Sequence, residues 1–131
     1  MKTILPEDLA KSGSEDSHQL AIFQWCALNL NKHPELRWLH HSPNGGSRHK
    51  AEAAKLKAMG VRPGFPDLIL PVKRGCYSGL FIELKKLEKG VVSAEQKEWI
   101  AHLNKEGYCA TVCRGWQEAV NCIQIYLNSG K

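Results

Sequence analysis

The chain has 131 residues, 43% of them apolar and 24% charged, with a formal net charge of +5. That is one domain with enough apolar sequence for a core, and the positive balance favours an anionic partner. No apolar run approaches the roughly 20 residues of a membrane-spanning helix, and the acid-rich N-terminus does not read as a signal peptide, so the expectation is a cytoplasmic, non-secreted protein without a membrane partner.

Residues 1–13 read as a flexible lead-in punctuated by Pro6 and Gly13. Ser14 is a candidate N-cap, and Glu15 and Asp16 suit the positive end of a first helical turn. A helix to about Lys32 follows, with a broad apolar face through Leu20, Ile22, Phe23, Cys26 and Leu30. His33-Pro34 ends it, and Leu36 to His40 reads as a short strand. Ser42 to Ser47 is a turn cluster, with Ser47 capping a second helix through Met59 that Gly60 closes.

Two apolar runs come next, Leu68-Ile69-Leu70 and Leu80-Phe81-Ile82, joined by a loop containing Gly75, Ser78 and Gly79. Ser93-Ala94-Glu95-Gln96 matches a capping box and opens a helix that buries Trp99, Ile100 and Leu103. Tyr108 to Cys113 reads as a strand, and Trp116, Ala119, Val120, Ile123 and Leu127 trace the apolar face of a last helix. Residues 128–131 read as a frayed tail. The element order implies an α/β fold: a central mixed β-sheet with helices on both faces, its last strand returning through the 93–106 helix as a right-handed crossover. The five cysteines are odd in number and show no CxxC spacing, which fits free thiols in a reducing compartment.

The chemistry concentrates between Gly64 and Lys86. Asp67 stands at the start of the first apolar run, and Glu83 and Lys85 lie within and just beyond the second. Charged groups are rarely buried without a partner, because their desolvation costs several kcal/mol. On a strand Glu83 and Lys85 share one face about 6.5 Å apart. Any one of the three has an ordinary explanation, such as a surface pair or a Pro-Asp turn. Together they form a candidate site in which Asp67, Glu83 and the backbone carbonyl of Leu84 offer oxygen ligands to a hard divalent cation. Lys85, on the same side, is placed to orient a water or offset transition-state charge.

Pro66-Asp67 followed by Glu83-Leu84-Lys85 resembles the PD-(D/E)xK nuclease motif. The wider context is HSPNGGSR at 41–48, GVRPGFPDLILPV, GLFIELK, SAEQKEWI and GYCATVCRGWQEAV. Over residues 14–127 it is similar to the stand-alone, phage-type VRR-NUC domain proteins. The resemblance implies a restriction-endonuclease-like core and Mg²⁺- or Mn²⁺-dependent cleavage of DNA. It also implies a homodimer acting on branched DNA such as four-way junctions, in the host cytoplasm if the protein is phage-encoded. It makes Asp67 and Glu83 metal ligands and Lys85 the catalytic lysine. Glu15 matches an acid on the family's first helix, although Asp16 is adjacent and His18 stands where relatives often carry another acid. Gln96 is either a catalytic-site residue or only the capping-box partner.

Around this centre, Asn44, Arg48 and Lys50 are candidate phosphate contacts, with a plain turn and a solvated helix face as the rival readings. Arg62 either contacts phosphate or pairs with Asp67. Lys73 and Arg74, at the hairpin tip beside Tyr77, are candidate DNA contacts. The four tryptophans fit core or dimer packing. The rival to catalysis is a non-catalytic nucleic-acid-binding module on the same fold.

Overall fold

The computed structural model describes residues 2–43 and 50–130. Its elements are α1 (Pro6–Leu9), α2 (Glu15–Leu28), a 3₁₀ helix (Pro34–Trp38), β1 (His40–His41), α3 (Lys50–Ala58), β2 (Leu68–Leu70), β3 (Leu80–Lys85), α4 (Ala94–Lys105), β4 (Cys109–Arg114) and α5 (Trp116–Asn128). The four strands form one mixed sheet in the order β1-β2-β3-β4. β1 with β2 and β2 with β3 are antiparallel, whereas β3 and β4 are parallel. A parallel neighbour requires a crossover, and α4 supplies it.

Alternation along β3 divides the core. Leu80, Ile82 and Leu84 pack with Leu68 and Leu70 against Ile22 of α2 and Ile123 and Leu127 of α5. Phe81 faces the other way, into a smaller cluster with Leu103, Phe65, Ile69 and Trp99 on the α4 side. Each fully buried aliphatic or aromatic side chain contributes about 1.5–3 kcal/mol. All six residues of β3 are buried, including Glu83 and Lys85, which share Phe81's face.

Local signals set several boundaries. The Ser14 side chain accepts the Ser17 N–H at 3.1 Å and starts α2. Ser93 and Gln96 form the reciprocal capping box of α4. One expectation requires correction. The segment 36–40 is mostly a 3₁₀ helix, and the strand begins only at His40. From the N-cap His33 onward the buried residues are His33, Leu36 and Leu39, while Trp38 is 55% exposed. That spacing of three suits a 3₁₀ turn and not a strand. The N-terminal lead-in carries α1, which buries Pro6, and the Ile4 carbonyl accepts a hydrogen bond from Gln24 Nε2 at 2.7 Å. At the other end, Ser129 Oγ donates to the Tyr126 carbonyl at 2.7 Å. Ser47, Asn44 and Arg48 lie outside the described residues. All five cysteines are free thiols. Among the described residues, no helix is long and apolar enough to cross a membrane.

Candidate active site

Asp67 precedes β2, and one of its carboxylate oxygens, Oδ2, accepts the N–H of Leu84 at 2.8 Å. The register that pairs Leu68 with Ile82 carries on through this bond, so the carboxylate is held against the end of β3. The Asp67 carbonyl is held as well. It accepts the Ser42 N–H at 2.7 Å and lies 3.1 Å from His41 Nδ1. The Lys85 carbonyl faces β4, where it accepts the Gly115 N–H at 2.8 Å. By alternation the N–H and C=O of Leu84 face the β2 side, which aims its carbonyl toward the carboxylate cluster.

Glu83 is 2% exposed. Its Oε1 has no hydrogen-bond partner, and its Oε2 lies 3.9 Å from Lys85 Nζ. Burial pushes the Glu83 carboxyl up to about 9, reinforced by the hydrogen-bonding closeness and charge of Asp67 and by the charge of Glu15, with Lys85 opposing. Glu15, in the first turn of α2, is raised too, by burial first and then by Asp67. Carboxylate oxygens of Glu15, Asp67 and Glu83 all lie within 4.8 Å of one another. Three acids this close cannot all ionise comfortably beside a single ammonium. An orphaned buried oxygen and uncompensated negative charge are what a hard cation with oxygen ligands relieves, so the donor set fits a divalent metal.

Comparison with known proteins shows the family. The family model of the VRR-NUC domain matches residues 8–117. The chain belongs to the VRR-NUC family. A solved structure described as a "VRR_NUC domain protein" is 40% identical, with a TM-score of 0.75 over 90% of this chain and 91% of that one. No curated protein matches. VRR-NUC is a nuclease-type domain, so DNA is the implied partner and the cluster is its candidate metal centre.

The VRR-NUC fold gathers Glu15, Asp67, Glu83, Leu84 and Lys85; of the other candidates, only Gln96, Lys50, Arg62, Lys73 and Arg74 fall among the described residues. The Gln96 amide oxygen is occupied by the cap, accepting the Ser93 N–H at 2.8 Å. Lys50 is exposed at the start of α3. Arg62 lines a cavity beside Trp99, and among the described residues it forms no ion pair with Asp67. Lys73 and Arg74 sit at the hairpin end of the sheet, the length of β3 from the carboxylates, or roughly 15–20 Å. Arg74 is also engaged within the fold, pairing with Glu35 and donating to the Leu127 carbonyl at 2.9 Å.

Sequence reasoning missed what covers Lys85. Gly90 lies so close that a Cβ there would be 3.1 Å from Lys85 Cβ and 3.3 Å from Arg114 Nη1. Arg114 Nη1 donates to the Gly90 carbonyl at 2.6 Å, latching the loop after β3 over the lysine stem. Lys89, at φ 63°, turns the chain back for this contact. In the sequence, Glu88-Lys89-Gly90 reads only as a polar turn. The adjacency of Gly90 and a basic β4 terminus was the one available signal.

Proposed function

We propose that this VRR-NUC domain is a divalent-metal-dependent endonuclease that hydrolyses DNA phosphodiester bonds, acting as a homodimer on branched DNA such as four-way junctions. The observation that carries the hydrolytic part is the convergence of Glu15, Asp67 and Glu83 within 4.8 Å beside a buried lysine. Glu15, Asp67, Glu83 and the Leu84 carbonyl are the residues that would hold Mg²⁺ or Mn²⁺. When bound, such an ion supplies Lewis-acid stabilisation of charge on the phosphate.

The chain's own residues account for the rest of the chemistry. Lys85 is 8% exposed, and its ammonium is a hydrogen-bond donor fixed next to the carboxylates. It orients the attacking water and offsets the negative charge that develops at phosphorus. The Leu84 N–H fixes the Asp67 carboxylate, so that ligand is ordered before DNA arrives. The net charge of +5 favours association with the polyanion. The junction and dimer elements rest on the family resemblance.

The test incubates labelled duplex, flap, single-stranded and four-way-junction DNA with Mg²⁺ or Mn²⁺ and maps the cuts. Paired symmetric cuts on the junction are expected, and cuts confined to free ends would remove the branched-DNA assignment. Lys85→Ala is expected to slow cleavage by at least about a hundredfold with DNA binding retained. Cleavage at the wild-type rate by that variant would falsify the mechanism.

A further inference from the structure

Two cavities flank the side chains of Arg62 and Trp99. One, of about 450 Å³, is lined by Arg62, Pro63, Glu95, Glu98, Trp99 and His102. The other, of about 320 Å³, runs on past Arg62 and Trp99 to Phe65 and Ser42. Both fall within the size range of small-ligand sites, roughly 300–1,000 Å³.

The walls are rigid. The Trp99 indole N–H donates to the Pro63 carbonyl at 3.1 Å. Its ring meets Phe65 edge to face at 5.0 Å and His102 at 6.2 Å, with interplanar angles of 87° and 83°. A ring already held by its neighbours loses little further entropy when a ligand stacks on it. The slot is also locked to the metal strand. Gly64, at φ +86°, presses on the first turn of α4 so tightly that a Cβ would lie 2.6 Å from the Glu95 carbonyl carbon. Pro66 and Asp67 follow directly along the chain.

The charges indicate which part of a nucleic acid fits. Among the described residues Arg62 is the one permanent cation lining the larger cavity, and Glu95 and Glu98 face the same space. A phosphate there would meet two carboxylates. A nucleobase instead offers a flat face to the aromatic rings and exocyclic amine donors to the carboxylates. We infer that this slot receives an unpaired nucleobase from the strand beside the scissile phosphate, held on Trp99 and His102 with Glu95 or Glu98 accepting from its amine. The inference rests on the proposed nuclease function and deepens it. Bases inside a duplex are stacked and paired, so only a branch, flap or frayed end supplies one without the cost of extrusion. The slot is therefore a source of preference for branched over continuous DNA.

The test measures binding of the full chain in EDTA to two flap substrates, one with cytosines in its single-stranded arm and one with the arm made abasic. The cytosine arm is expected to bind on the order of tenfold more tightly and to quench tryptophan emission. His102→Ala and the double variant Glu95→Ala/Glu98→Ala change exposed side chains, and each is expected to bring the cytosine-to-abasic ratio toward one with the melting temperature held. Trp99→Leu is the companion variant, its fold checked by circular dichroism. Equal binding of the two arms by the wild type, or a ratio unmoved by every variant, overturns the slot. Absence of cleavage on every DNA in Mg²⁺ and Mn²⁺ overturns the nuclease reading, and the ratio in EDTA then still decides the slot separately.

Discussion

His18 lies one turn beyond Glu15 on α2, 4% exposed. Its Nδ1 accepts the Trp116 N–H at 3.0 Å, so it caps α5, whose N-cap residue, Gly115, has no side chain to do so. Accepting requires an unprotonated Nδ1, and burial pushes the imidazole below its usual range. The unfolded chain therefore binds a proton near pH 6.5 that the folded chain resists. The folded form loses stability as pH falls from about 6.5 toward the depressed folded value, and keeps it above 6.5. The melting temperature should drop between pH 7 and pH 5, and His18→Asn, which keeps an acceptor but cannot titrate, should flatten that drop. The sequence marks His18 only as a departure from an acidic position. Its partner lies 98 residues away at a helix start that shows no Ser, Thr, Asn or Asp.

At the level of elements, β3 and the loop latched over it decide where Lys85 sits. Arg114 acts on Lys85 through the Gly90 carbonyl and is therefore a positioning residue. Arg114→Ala should lower kcat about tenfold or more, with DNA affinity changed much less, and Arg114→Lys should restore part of the rate. If affinity falls in step with kcat, the latch belongs to DNA binding and not to lysine placement.

Elements with strong local chemistry were legible from the chain alone. The capping box of α4, the apolar face of α5 and the hairpin of β2 and β3 stand where the residue pattern puts them. The 3₁₀ helix was not, because its five residues hold a single buried leucine, Leu36, and so carry no period that separates three from two. Nor was the fate of Arg74, since its partner Glu35 is brought in by tertiary packing from 39 residues away. Within the candidate site, Asp67, Glu83 and Lys85 stood out because charge on a buried strand is anomalous. Trp99 gave no such signal, since an aromatic on a helix face looks the same whether it is covered or lines a slot.

Across the whole molecule, the carboxylate cluster draws on two parts of the chain that are joined differently. Asp67 and Glu83 are neighbours through the hairpin, whereas Glu15 arrives on a helix that must dock across the sheet. A ligand that binds only the docked arrangement stabilises it by mass action, by about 2.7 kcal/mol at a hundred times its dissociation constant. Mg²⁺ or Mn²⁺ should therefore raise the melting temperature of the wild type but not that of Glu15→Gln/Asp67→Asn.

The docking of α2 has a kinetic face too. The helix begins at Glu15, whose carboxylate crowds the acids of the strands until something neutralises it. The undocking of α2 is thus the motion that a bound cation suppresses most. Amide protons of α2 should exchange with deuterium markedly more slowly once metal is added, while those of α4, on the far side of the sheet, keep their rates. In that sense the ion would serve as a clasp closing the N-terminal third of the chain onto the rest, before any DNA is met.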